Sequence, residues 1–313
     1  MTVSLKRSGH GRARSERARP GANYEARWGW SLLLPALVVI GALSIVPLAR
    51  AIYSSFRQTS PLLPPKFIGF DNYRAVVESG AFLTAWRVTL QFTTITVVLT
   101  TVLAMISASA LNSSFRGSSV VKPLVLLPWA VPGVIAGVIW RWMFNNNYGA
   151  INTILHALGV IDAYIYWLSK PTLALLAACI AQTWSLLPLS IILILAALQN
   201  IPEEQYEAAR LDGANSFQLY RYVTFPHIRT SVVIVALYNS LMGLTAYDIV
   251  YTMTAGGPGT ATSVISYFTW SISFTTLNIG QGAALATIIA LVSIVFIVGI
   301  LRLLPKGALS DVD

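Results

Sequence analysis

Residues 200–229 read N-I-P-E-E-Q-Y-E-A-A-R-L-D-G-A-N-S-F-Q-L-Y-R-Y-V-T-F-P-H-I-R, a polar stretch between apolar ones. Pro202 suits a first helical turn, and Glu203 and Glu204 complement the positive end of a helix dipole. Gln205 to Leu211 favours helix. Gly213 is a natural stop, because glycine adopts a left-handed backbone without penalty. Asn215 or Ser216 can cap a second short helix, expected to end before Pro226. The loop from Asn200 to Thr230 is therefore expected to be a helix-turn-helix too polar to enter lipid. An ordinary amphipathic loop helix is one reading of it, and a helix that docks on a partner is the other. The small Ala208 and Ala209 let the helix lie close in a partner's groove, and Glu207 offers a charge-assisted bond to a basic group there.

Other polar residues sit inside apolar runs, where they carry a functional expectation. Asn239, Gly243 and Tyr247 fall at i, i+4 and i+8, near one helical face. Thr183 and Trp184 sit mid-way along another run. Amides and hydroxyls beside aromatic rings suit a path for a polar solute. Interhelical packing and hydrogen bonding are the competing role for the same residues. Asp248 lies nearer a helix end, where a structural pair and a substrate role are equally open. Gly133 and Gly137 form a G-x-x-x-G that permits close helix approach, within the chain or between subunits.

Several chemistries are missing. Gly256-Gly257-Pro258-Gly259 lacks the Lys-Ser/Thr of a phosphate loop and reads as a turn. No Walker A pattern, H-E-x-x-H or G-x-S-x-G occurs. The single cysteine, Cys179, sits in an apolar run and reads as a small buried hydrophobe. His10, His156 and His227 are too scattered for a metal site, so no metal ligand is assigned.

The elements that must hold these residues are membrane helices. The 313 residues are 55% hydrophobic and 11% charged, with mean hydropathy +0.66. Soluble domains carry about 25% charged residues. Apolar runs occur at Trp28 to Ala51, Val88 to Leu111, Val121 to Phe144, Thr172 to Leu198, Val232 to Met253 and Ala283 to Leu303. By length these are about six spanning helices. The fold class expected is all-α, a polytopic membrane protein. Ala49-Arg50-Ala51 resembles a signal-peptidase site, but the preceding apolar stretch is long for a signal, so an uncleaved helix is expected. Pro61-Leu62-Leu63-Pro64-Pro65 breaks a short external segment.

Two regions are expected, a basic tail at residues 1–27 and a transmembrane domain at 28–313. The formal net charge is +9. Lys6, Arg7, Arg12, Arg14, Arg17, Arg19 and Arg27 all precede the first span, as the positive-inside rule expects of a cytoplasmic tail. With that tail inside, Arg116, Lys122, Arg210, Arg221, Arg229, Arg302 and Lys306 also fall inside. Arg50, Arg57, Lys66, Arg74, Arg87, Arg141 and Lys170 fall outside. Both termini are then cytoplasmic. The basic pI is assigned to the lipid membrane and no nucleic acid is expected, because no aromatic-interleaved basic fold follows the tail.

The loop now carries a specific resemblance. Glu207-Ala208-Ala209, Gly213 and Val223-Thr224-Phe225-Pro226 resemble the EAA motif of ABC importer permeases, E-A-A-x3-G-x9-I-x-L-P, with the spacing met in full. Val223 stands for Ile and Phe225 for Leu. Phe67-Ile68-Gly69-Phe70-Asp71-Asn72-Tyr73 resembles an F-x-G-x-x-N-Y segment of sugar-importer permeases. Leu127-Pro128-Trp129 with Trp140, then Gly149-Ala150-Ile151-Asn152, are similar to that group's third helix and its exit. Tyr247-Asp248 and Thr254-Ala255-Gly256-Gly257-Pro258 resemble the fifth-helix end of its maltose-type first subunit.

The resemblance implies a type I ABC importer fold in a bacterial cytoplasmic (inner) membrane. It assigns ATPase coupling to Glu207, Ala208, Ala209, Asp212, Gly213 and Pro226. It points for a substrate path to the face of Asn239, Gly243 and Tyr247. It also implies a second homologous permease, a pair of ATPase subunits that bind ATP and Mg, and an extracytoplasmic solute-binding protein. This chain itself is expected to hold no cofactor and to be no enzyme. Sugars, polyols and glycerol phosphates are all open as solutes. A secondary transporter would need midplane coupling carboxylates or inverted repeats, and neither is found. An intramembrane enzyme would need an acid–base pair in the spans, which is also missing.

Overall fold

The computed structural model describes residues 22–61, 63–113 and 116–303. Residues 1–21 of the expected basic tail and the C-terminal Lys306 lie outside the described residues. The chain divides after Arg50 into two units. Most of α1 (Ala22–Ser55) belongs to the first. It begins before the expected boundary at Trp28, and its stretch Trp30–Ser55 is long and apolar enough to span a bilayer.

The second unit opens with a hairpin where an all-helical chain was expected. β1 (Arg57–Ser60) pairs antiparallel with β2 (Leu63–Phe67), Arg57 opposite Phe67. Prolines cannot donate to a ladder, but a two-stranded ribbon has free edges that tolerate them. Then comes α2 (Asp71–Val77). Buried Asn72 ties these pieces together, its Nδ2 donating to the carbonyls of Ser55 at 2.8 Å and Arg57 at 2.9 Å. The Tyr73 hydroxyl bonds Ser55 Oγ at 2.6 Å. The F-x-G-x-x-N-Y segment is thus a staple, and Gly69, at φ +60, makes its turn.

α3 (Gly80–Asn112) is capped by Ser79, whose Oγ accepts from the Phe82 N–H at 3.3 Å. α4 (Ser118–Leu124) and α5 (Leu127–Ala130) lead to α6 (Gly133–Met143), bent from them by 100°. The bend falls at Val131-Pro132. The residue before a proline is pushed out of the helical region, and Val131 has ψ 121. The expected third span is therefore broken. α7 (Ala150–Ala157) and a 3-10 turn at Trp167–Ser169 precede α8 (Pro171–Gln199). Asn152 is fully buried and staples this connection. Its Oδ1 accepts from Trp167 Nε1 at 2.9 Å and Ile165 N–H at 3.2 Å.

α9 (Glu203–Leu211) and α10 (Ser216–Gln218) form the polar loop. A π-helical stretch, Leu219–Thr224, then runs straight into α11 (Phe225–Leu244). The second loop helix does not end before Pro226, as expected. Proline lacks the N–H that would close an α turn, and the wider π turns accommodate its ring. α12 (Asp248–Met253), α13 (Ile265–Trp270), a second π stretch (Ser271–Thr275) and α14 (Ile279–Leu303) complete the unit.

Among the described residues four helices are long and apolar enough to cross a membrane, and the bent pair makes up to five. The remaining expected span, Val232 to Met253, is α11 and α12 separated by non-helical Thr245–Tyr247. α11 has 20 residues, about 30 Å. It also carries Arg229, Asn239 and several hydroxyls, which lower its apolarity below that of the other spans.

α3 and α8 run parallel. Val88 and Phe92 pack with Ala177, Ala178 and Ala181 at one end, and Ala104, Ala108 and Leu111 with Ile191, Ile194 and Leu198 at the other. The alanines of α8 let the helices approach closely. α11 runs against them, with Ile228 and Val235 in the second cluster and Ala246, just beyond its end, in the first. The hairpin and the polar loop therefore mark opposite ends of the bundle.

Candidate functional site

The polar loop is built by caps. Helix α9 starts one residue after Pro202, with Glu203 and Glu204 in its first turn. At its other end the Gly213 N–H bonds the Arg210 carbonyl at 3.0 Å and the Ala214 N–H bonds that of Ala209 at 2.9 Å. This is a complete Schellman motif, which needs a left-handed residue, and Gly213 has φ +81. Asn215 and Gln218 then form a reciprocal capping box, Gln218 N–H to Asn215 Oδ1 at 3.0 Å and Asn215 N–H to Gln218 Oε1 at 2.8 Å.

One face of α9 is fastened. The Tyr206 hydroxyl bonds Thr224 Oγ1 at 3.0 Å, and Tyr206 and Val223 pack on the core of the bundle. Burial pushes the Tyr220 hydroxyl above its usual pKa range. The other face is bare. Glu207, Ala208, Asp212 and Gly213 are exposed, Ala209 and Pro226 are half-buried, and Leu211 is 89% exposed and Phe217 74%. The Arg210–Glu203 pair at 3.2 Å is the one ion pair among the described residues. Both groups are more than half exposed, so it contributes little. Glu207 has no such partner and is free to meet one. Of the residues expected to act in coupling, Glu207, Ala208, Asp212 and Gly213 are exposed on α9 and its turn, while Ala209 and Pro226 are partly covered.

The expected path residues are not brought together. Asn239 is fully buried and faces α8. Its Nδ2 donates to Ser190 Oγ at 3.2 Å, and the same pair is placed for Ser190 Oγ to donate to Asn239 Oδ1 at 3.3 Å. Gly243 is buried against Thr93 of α3, with no room for a side chain. Tyr247 does not continue their face, because α11 ends at Leu244 and Tyr247 caps α12 at φ −136. Thr183 is buried with its hydroxyl unpaired, and Trp184 meets Trp140 edge to face at 5.9 Å.

Tyr247 instead joins an aromatic group that periodicity missed. It stacks on Tyr251 at 5.3 Å, and Trp270 lies 4.8 Å from Tyr251 and 6.1 Å from Tyr247, with Tyr267 and Phe274 beside it. The i, i+4 pair Tyr247 and Tyr251 was its visible signal. Partly exposed rings of this kind stack on apolar sugar faces and also anchor proteins at the membrane interface. Exposed Asp248 abuts Gly133, and Gly137 packs on Ile249 and Thr252. The G-x-x-x-G therefore serves packing inside the chain, α6 on α12.

Comparison with known proteins bears on this arrangement. The family model described as binding-protein-dependent transport system inner membrane component matches residues 100–305. A trehalose/maltose transport system permease protein of Thermococcus litoralis is 35% identical over 258 residues, 82% of this chain and 85% of that protein. A sulfoquinovosyl glycerol transport system permease protein of Agrobacterium fabrum is 35% identical over 260 residues, 82% of this chain and 83% of that one. Among solved structures, a bacterial ABC transporter involved in alginate import matches with TM-score 0.77 at 20% identity, over 90% of this chain and 96% of that one. At that identity the likeness is one of fold.

Proposed function

The chain belongs to the family of binding-protein-dependent transport system inner membrane components, and on that premise we propose that it imports a sugar or a related solute handed over by an external binding protein. It is a multi-pass permease subunit of an ABC importer and not itself an ATPase. Energy comes from ATP and Mg on a pair of partner ATPase subunits, and a second, homologous permease completes the path. The polar loop and both termini face the cytoplasm, as the charge distribution indicates.

The observation that carries this reading is the bare face of α9. Glu207 and Ala208 stand outward, Gly213 fixes the turn, and Leu211 and Phe217 lie uncovered beside them. A helix so presented fits a groove in a partner. Closure of the ATPase pair on ATP then displaces α9 and rocks the helices attached to it. The sugar class rests on the named relatives and on the aromatic group around Tyr247. Polyols and glycerol phosphates remain within its chemistry.

The test is co-purification of the ATPase with the permease, followed by uptake in vesicles. Glu207→Lys replaces an acceptor by a like charge for a basic groove. Losing a charge-assisted bond costs about 1.5–3 kcal/mol, so association is expected to fall roughly ten- to a hundred-fold while the chain still inserts. Wild-type association and uptake by that variant would sink the docking role.

A further inference from the structure

The bundle end that carries the hairpin also holds a cleft of about 530 Å3 that neither the loop nor the aromatic group accounts for. Thr84, Arg87 and Gln91 of α3 line one wall, at spacings that place them on a single helical face. Thr172 in the first turn of α8 and Thr260 in the loop after α12 line the other. Every polar side chain here can donate a hydrogen bond, and no acidic residue is among the described residues that line the cleft. Arg87 is exposed and has neither an ion pair nor a hydrogen bond among the described residues. It sits in a helix long and apolar enough to span the bilayer. Arg87 stands near the start of α3, just ahead of the apolar run from Val88, where an unpaired guanidinium at the edge of the bilayer is placed to receive an opposite charge.

We infer that this cleft binds an oxyanion through Arg87 and Gln91. The anion is a carboxylate, sulfonate or phosphate, carried by an acidic sugar or by a phospholipid headgroup. The guanidinium presents a planar fork of N–H donors that matches two oxygens of such a group. The Gln91 amide and the hydroxyls of Thr84, Thr172 and Thr260 supply further donors around it. The first N–H groups of α8, which begins without a side-chain cap, add partial positive charge to the same wall. The apolar side chains Val88, Ile95 and Leu175 line the rest of the cleft and lower the polarity beside the pairing. The site is built by α3 and α8 rather than by the polar loop, so it stands apart from the coupling proposal.

The test uses the full chain in phosphatidylcholine nanodiscs, with thermal unfolding followed by intrinsic fluorescence. Glucuronate is titrated against glucose, and separately phosphatidylglycerol is added to the disc. Stabilisation by glucuronate but not glucose identifies a soluble acid as the ligand. Stabilisation by phosphatidylglycerol alone identifies a headgroup. In either case Arg87→Gln should weaken the effect about ten- to a hundred-fold, and Arg87→Lys, which keeps the charge without the fork, should weaken it less. Gln91→Leu gives an independent loss if Arg87→Gln does not fold. No stabilisation by either anion, or a full effect retained in Arg87→Gln and Gln91→Leu, overturns the inference.

Discussion

Replacing Gly213 separates the shape of the loop from its mere presence. No heavy atom lies within 4 Å of where a Gly213 side chain would begin, so alanine there meets no clash. What it meets is its own backbone, since φ is +81. Holding alanine left-handed costs about 1–2 kcal/mol. Relaxing to a right-handed conformation instead forfeits the two bonds of the Schellman motif, at 3.0 and 2.9 Å, each contributing about 0.5–1.5 kcal/mol. The cheaper route sets the cost, so the native turn is disfavoured by roughly five- to thirty-fold. Asparagine tolerates the left-handed region, so Gly213→Asn should retain most of the geometry. Proline fixes φ near −65° and removes the N–H that Arg210 accepts, so Gly213→Pro should abolish it. The expected order of ATPase association and vesicle uptake is Asn above Ala above Pro, with equal amounts of chain in the membrane. If the proline variant transports normally, or asparagine fares no better than alanine, the turn at Gly213 does not set docking.

Three further outcomes follow from the fold. In a double-mutant cycle of Asn239→Leu and Ser190→Ala, the coupling energy should be about 0.6 kcal/mol, the average for hydrogen bonds between membrane helices, and no more than about 1.7 kcal/mol. Additive effects on reversible unfolding would mean that the pair does not bond. Gly137→Val drives a side chain into Thr252 and the Ile249 backbone, and overpacking of this kind costs about 1–3 kcal/mol. A lowered unfolding midpoint is expected, whereas an unchanged one would refute the α6–α12 contact. A reporter fused after Asp313 should behave as cytoplasmic and one inserted near Gly259 as external, and the reverse pattern would invert the orientation.

The shape of the polar loop was legible because its determinants are local. Gly213 must be left-handed and Asn215 must cap, and each requirement shows in residue types a few positions apart. The spans were legible as apolar runs but not as straight helices. Hydropathy passes smoothly through Thr245–Tyr247, where α11 stops, because the break is supported by α6 packing Gly133 and Gly137 on α12 more than a hundred residues away in sequence. For the same reason the i, i+4, i+8 pattern failed at Tyr247: it presumed an unbroken helix. Asn239 was visible as a polar residue in an apolar run, but its partner Ser190 lies 49 positions earlier and no periodicity links them. The hairpin was hidden because the prolines that read as a breaker occupy a ribbon with free edges.

The fastening of α9 decides where a push on it is felt. Its hydroxyl link runs from Tyr206 to Thr224, the last residue of the π stretch and the one before α11 begins. Through Ile201 and the core around it, the same helix also leans on the foot of α8. A load applied to α9 therefore enters the bundle at two antiparallel helices at once, near the same end. α8 and α11 are joined again partway along by Ser190 and Asn239. Such a frame, pinned at its base and cross-braced higher up, resists shear between the two helices and favours tilting them as one. The cross-brace is then the part whose stiffness determines how much of a short displacement at the base reaches the far end.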